Sequence, residues 1–147
     1  MKKTYTLIFL ISAAIFFIDQ VTKLFIISRF EVNDSVPIIK NFFHLTFVTN
    51  TGSAFGMLKD SALLLIFFSI VVLFSAIYYS RKITEKEKWM QVALGLLIGG
   101  TLGNLLDRFI YGYVIDFLDF RIWPVFNIAD SSITISAAIL IMLIMKK

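Results

Sequence analysis

SALLLIFFSIVVLFSAIYYS, residues 61–80, runs for twenty positions without a charged side chain. Rising ~1.5 Å per residue as an α-helix, it is long enough to cross the ~30 Å hydrocarbon layer of a bilayer. The rest of the chain agrees. Of its 147 residues 59% are hydrophobic, 16 are Phe, and mean hydropathy is +0.86, more apolar surface than a water-soluble domain of this size could hide. Working outward from 61–80, further apolar stretches occupy about 5–27, 90–107 and 127–145. They predict an α-helical membrane protein with four transmembrane helices in one integral domain, 1–147, and an outer segment, 28–60, between the first two spans.

The basic residues set an orientation. Lys2 and Lys3, then Arg81, Lys82, Lys86 and Lys88, then Lys146 and Lys147 make up eight of the fourteen Lys and Arg. They all fall on one side of a four-span chain, and the excess of basic residues in short loops marks the cytoplasmic side. An even number of spans places both termini there. The start resembles a secretory leader, but no small-x-small cleavage site follows the first apolar run, so it reads as an uncleaved first helix. The net charge of +4 is then a signal of topology, and no nucleic-acid partner is expected.

With no Cys and only His44, disulfides, thiol nucleophiles and a His-rich zinc site are excluded; the sequence calls for no metal and no cofactor. Chemistry is left to carboxylates, amides, hydroxyls and a few cations.

In the outer segment, Phe43-His44-Leu45-Thr46-Phe47 alternates with period two and Asn50-Thr51-Gly52-Ser53 follows as turn chemistry, predicting a small sheet on the outer membrane face. His44 reads as a surface residue there. Gly95, Gly99 and Gly103, four apart, lay a smooth stripe on the third helix against which a neighbour can pack. Asn104, Asp107 and Arg108 then share one side of that helix end, where Asp107 could orient the Arg108 fork. Asn127 is a candidate N-cap for the fourth helix.

The acids cluster on one side. Asp19, Asp107 and Asp130 lie at the outer ends of spans, with Asp116 in the loop between the last two. Ionisable groups in spans are costly and ask for a functional reason. Asp116 and Asp130 are the expected catalytic pair: brought together, like-charge repulsion and desolvation leave one ionised and one protonated near neutrality, as amide hydrolysis by water requires. The bland reading makes Asp130 a charge favoured by the helix dipole and Asp116 a solvated loop acid. Asp19 and Lys23, four apart, can pair across one turn, and Lys23 could instead hold a substrate carbonyl or lipid headgroup. Asn50, Asn104 and Asn127 sit near the same boundary.

Five motifs carry a resemblance: Asp19-Gln20-x-Thr22-Lys23, Asn50-Thr51-Gly52-Ser53-Ala54-Phe55, Gly103-Asn104-x-x-Asp107-Arg108, Gly112-x-Val114-x-Asp116-Phe117 and Phe126-Asn127-x-Ala129-Asp130. In order, on a four-span chain, they resemble the lipoprotein signal peptidases, the type II signal peptidases of bacteria. The resemblance implies an aspartyl endopeptidase of the bacterial cytoplasmic membrane, acting on diacylglyceryl prolipoproteins just before the lipidated cysteine. It implies Asp116 and Asp130 as the dyad, Asn50, Arg108 and Asn127 as a polar shell, and Asp19, Lys23, Asn104 and Ala129 as supporting positions. It also implies an extracytoplasmic β-cradle with a short interfacial helix, contact with membrane lipid, and a monomer.

Three rival readings fit less well. An intramembrane protease of the presenilin type lacks its Gly-x-Gly-Asp signature here, a proton-coupled transporter would want ionisable groups near the midplane, where 61–80 and 90–106 carry none, and a non-enzymatic scaffold held by the glycine stripe leaves the outer acids unexplained.

Overall fold

A computed structural model describes residues 3–52 and 62–146. Along the chain these form α1 (Lys3–Arg29), β1 (Ser35–Ile39), β2 (Phe43–Asn50), α2 (Ala62–Ser80), α3 (Lys88–Tyr111), β3 (Val114–Asp119) and α4 (Ile128–Met145). All four helices are long and apolar enough to cross a membrane. Their outward faces carry large apolar side chains such as Phe17, Leu63 and Phe74, as expected where lipid is the solvent.

α3 is the hub. In its apolar window 56% of residues are buried, against 6% in α2. Two small-residue faces account for this. On one, a Cβ added at Gly99 would stand 2.6 Å from the Ser12 carbonyl oxygen, and one at Gly95 would meet Ile11 at 2.7 Å, so only glycine lets α1 approach this closely. On the other, a Cβ at Gly100 would meet the Ala129 carbonyl oxygen at 2.6 Å, the same constraint toward α4. Since lipid tails are as apolar as leucine, packing at this range and interhelical hydrogen bonds hold such helices together. Ser12 Oγ donates to the Gly95 carbonyl at 3.1 Å, and Ser136 Oγ to the Ala93 carbonyl at 2.6 Å. α3 ends where Gly112 takes φ +79 and its N–H closes on the Arg108 carbonyl, a left-handed terminus at which glycine has no Cβ penalty.

The sheet is antiparallel in the order β1-β2-β3. It seats on the end of α1 through a core of Ile26, Phe47, Ile115 and Phe117. β2 covers the alternating segment read from the sequence. β3 was not anticipated: Asp116 lies in a strand of the sheet, opposite Val48, and not in a loop. Val-Ile-Asp-Phe-Leu-Asp hides this because five of its six residues are buried, so burial does not alternate along it. No short helix occurs among the described residues of the outer segment, and 53–61, including the Ser53-Ala54-Phe55 end of its motif, lie outside them.

Candidate functional site

Three connections bring the site together at one end of the bundle. The first is β2 to β3. Asn50 ends β2 opposite Val114, so Asp116 is its diagonal neighbour on the same face. Asn50 Nδ2 donates to Asp116 Oδ2 at 2.8 Å, and its own Oδ1 accepts from the Gly52 N–H at 3.0 Å, which fixes the amide's orientation. The second is β3 to α4. Phe126 turns back to bridge Leu118, with the Phe117 and Leu118 N–H groups both donating to its carbonyl. This delivers Asn127 and α4 to the flank of the strand.

Asn127 is the junction. It is fully buried, its Oδ1 caps α4 by accepting the Asp130 N–H at 2.8 Å, and its Nδ2 donates to Asp116 Oδ1 at 2.7 Å. One side chain thus fixes both acids. The third connection is α3 to α4: Asn104 Nδ2 donates to Asp130 Oδ1 at 2.7 Å, while Asn104 Oδ1 accepts from Asn127 at 3.1 Å and from Lys23 Nζ at 3.0 Å. Both Asp116 oxygens therefore accept amide N–H bonds. Asp130 Oδ2 has no hydrogen-bond partner among the described residues.

Burial pushes the Asp116 carboxyl up from 3.8 to about 7, with the Asp130 charge adding to the rise and the Asn50 and Asn127 amides opposing it. A carboxyl raised on folding makes the native state hold a proton the unfolded chain releases, so its contribution is present below 3.8 and lost as pH rises toward about 7. Asp116→Asn stays neutral throughout. Its thermal midpoint in detergent, relative to the parent protein, is expected to be higher at pH 8 than at pH 5; a pH-independent difference would contradict the assignment.

Behind the acids lies a second cluster. Lys23 Nζ, 1% exposed, meets Asp19 Oδ2 at 2.8 Å and Asp107 Oδ2 at 2.7 Å. Its three donors are thereby filled within the protein, which leaves none for a substrate carbonyl or headgroup. Asp19 Oδ1 accepts the Ala129 N–H at 2.8 Å, tying α1 to α4. Asp107 does not pair with Arg108. It accepts from Lys23, from the Ile115 N–H at 3.1 Å and from Gln20 Nε2 at 3.0 Å. Arg108 instead reaches the Asn104 and Gly52 carbonyls at 3.3 and 3.5 Å, within electrostatic range of Asp130 and Asp116. Gln20 had no assigned role in the sequence reading, although it sits in the first motif.

Asp119 lies apart from the acid pair. Burial acts to raise its carboxyl, but bonds from the Thr46 hydroxyl and from the Arg121 N–H and guanidinium outweigh it and hold it below the usual range. It pins the turn after β3. His44 also lies off the site, with Nδ1 at 3.2 Å from Ser35 Oγ. No group of three or more His, Cys, Asp or Glu among the described residues is arranged to hold a metal ion.

Residues 11–146 match a family model described as signal peptidase II. The lipoprotein signal peptidase of Halothermothrix orenii is 47% identical over 137 residues, covering 92% of this chain and 93% of that protein. The one from Desulfitobacterium hafniense is 45% identical over 140 residues, covering 95% and 93%. Two solved structures, each described as a bacterial membrane enzyme determined by the in meso method, superpose with TM-scores of 0.89 and 0.86 at 37% identity. They cover 93% and 94% of this chain and 86% and 92% of their own.

Proposed function

Because this chain belongs to the signal peptidase II family, a family of peptidases, and is a multi-pass bacterial membrane protein, we propose that it removes the signal peptide from diacylglyceryl prolipoproteins, cutting just before the lipidated cysteine with Asp116 and Asp130 as the catalytic pair. The observation that carries this reading is the Asn127 side chain, which donates to Asp116 while accepting from the Asp130 backbone, so that a single rigid group sets the two acids relative to each other.

The pair works with one shared proton. Burial and the neighbouring Asp130 charge raise the Asp116 carboxyl, and two acids this close leave one member ionised and the other protonated near neutrality. The ionised member takes a proton from water as the water oxygen attacks the scissile carbonyl carbon. The protonated member gives its proton to the carbonyl oxygen, producing a neutral tetrahedral gem-diol. On collapse the C–N bond breaks, the first acid passes the water-derived proton to the departing cysteine nitrogen, and a gem-diol hydroxyl returns a proton to the second. Every proton is accounted for, and no cofactor enters. Arg108, with its charge near both acids and its fork on two backbone carbonyls, holds the approach to the pair.

The sheet and the acids lie at the end of the bundle that the charge pattern assigns to the extracytoplasmic face, with both termini cytoplasmic. A lipidated helix in the bilayer can there present its last peptide bond at the boundary where water enters. The spans, the membrane lipid around them and a working monomer belong to the same reading.

The test is direct. Purified protein given a synthetic diacylglyceryl prolipopeptide in ¹⁸O-water should release a signal peptide carrying one ¹⁸O in its new carboxylate and a product beginning at the lipidated cysteine. Cleavage at any other bond, or only unlabelled products, would overturn the proposal.

A further inference from the structure

At the end of the bundle opposite the acids, α2, α3 and α4 leave a groove of about 500 Å³ lined by Ser75, Tyr78, Leu94, Leu140, Leu143 and Ile144 among others, a volume in the range of small-ligand sites. Leu94 precedes Asn104, and Leu140 follows Asp130, by ten residues of helix, so the groove lies about 15 Å along the helix axes from the acid network. It is therefore separate from the peptidase site. Its lining is apolar apart from one serine and the tyrosine hydroxyls. The polypeptide at its mouth is basic: exposed Arg81 and Lys82 follow α2, exposed Lys86 and Lys88 lead into α3, and exposed Lys146 closes α4. Lys82 Nζ lies over the ring of Tyr78, one of the lining residues, 4.7 Å from its centroid. Two acids share the loop, Glu85 and Glu87, and the Glu87 carboxylate is taken up by the Thr84 N–H and hydroxyl, both at 2.9 Å.

We propose that this groove is a binding site for one anionic phospholipid of the surrounding leaflet, an acyl chain lying between α2 and α4 and the phosphate among Arg81, Lys82 and their neighbours. The apolar lining admits a chain but does not select a lipid, since every lipid brings chains. Selection comes from the cations, as in other basic pockets between transmembrane helices. The same charge argues against the other long apolar occupant available to a signal peptidase. A signal peptide carries a positive n-region beside its apolar core, and that end would be repelled here.

The full-length protein, reconstituted into nanodiscs of equal phosphatidylglycerol and phosphatidylcholine and then extracted, should retain phosphatidylglycerol over phosphatidylcholine by roughly tenfold or more in native mass spectra, since each cation is worth roughly fivefold. Arg81→Gln with Lys82→Gln should lower the ratio by roughly tenfold while leaving prolipoprotein cleavage intact, and Leu140→Trp should lower the total lipid retained. Equal retention of the two lipids by the parent protein, or a ratio unchanged in the double variant, overturns the proposal. Should the double variant fail to fold, the parent protein decides alone. Its preference must weaken between about 0.05 M and about 0.5 M salt as the charges are screened, and a salt-independent ratio also overturns it.

Discussion

Asp116→Asn and Asp130→Asn are each expected to lower cleavage of diacylglyceryl prolipoprotein by at least about a thousandfold while leaving a folded, membrane-inserted protein. The size follows from the role. A positioned acid or base contributes roughly 10²–10⁴-fold, and residues that act as a unit lose nearly the whole effect when one is removed. The survival of the fold follows from the hydrogen bonds. An asparagine at 116 can still accept from one of the Asn50 and Asn127 amides, and the Asp130 N–H that Asn127 caps belongs to the backbone and is untouched. Gel conversion of the substrate, with circular dichroism and gel filtration on the same samples, reads both halves. Normal processing by either variant would remove that residue from the mechanism. Loss of cleavage together with loss of fold in both would leave them structural.

What was legible in the sequence divides along physical lines. Membrane helices are written in composition, because a bilayer demands a fixed length of apolar chain whatever its neighbours; residues 62–80 form a helix for that reason alone. Local geometry was legible too. Asn127 caps α4, and Asp19 pairs with Lys23 one turn away, both within a few residues of chain. Gly95, Gly99 and Gly103 pack as a stripe because helical spacing is fixed. What escaped is what tertiary contact decides. β3 carries a charge inside an almost wholly buried strand, so neither alternation nor an unbroken apolar run marks it, and Asp116 read as a loop residue. The partner of Asp107 was misassigned because Arg108 is its neighbour in sequence, whereas Lys23 reaches it only when α1 lies against α3. Gln20 stayed silent for the same reason: its amide has meaning only beside a carboxylate brought from another helix.

Lys23→Met is expected to be the most damaging single substitution to the fold outside the dyad. Asp19 and Asp107 are both fully buried, and Lys23 is the cation bonded to them. Removing one partner from a buried ionic group leaves charge uncompensated and costs about 3–5 kcal/mol, a large part of the ~5–15 kcal/mol that stabilises an ordinary domain. The two carboxylates also do mechanical work: Asp19 holds the Ala129 N–H at the start of α4, and Asp107 holds the Ile115 N–H beside Asp116. The damage should therefore reach the acid pair from both sides. Asn104 adds a third route. Its Oδ1 faces Lys23, which turns its Nδ2 toward Asp130; without the ammonium only the Asn127 amide still favours that rotamer. The triple variant Lys23→Met, Asp19→Asn, Asp107→Asn separates these effects. With no unpaired charge left and the asparagine carbonyls still able to accept from Ala129 and Ile115, it should recover most of the lost thermal midpoint in detergent. Cleavage should stay well below the parent protein, because the loosened Asn104 no longer fixes Asp130. If the single variant melts with the parent protein, the cluster does not stabilise the fold; if the triple variant cleaves at the parent rate, Lys23 does not position the acids.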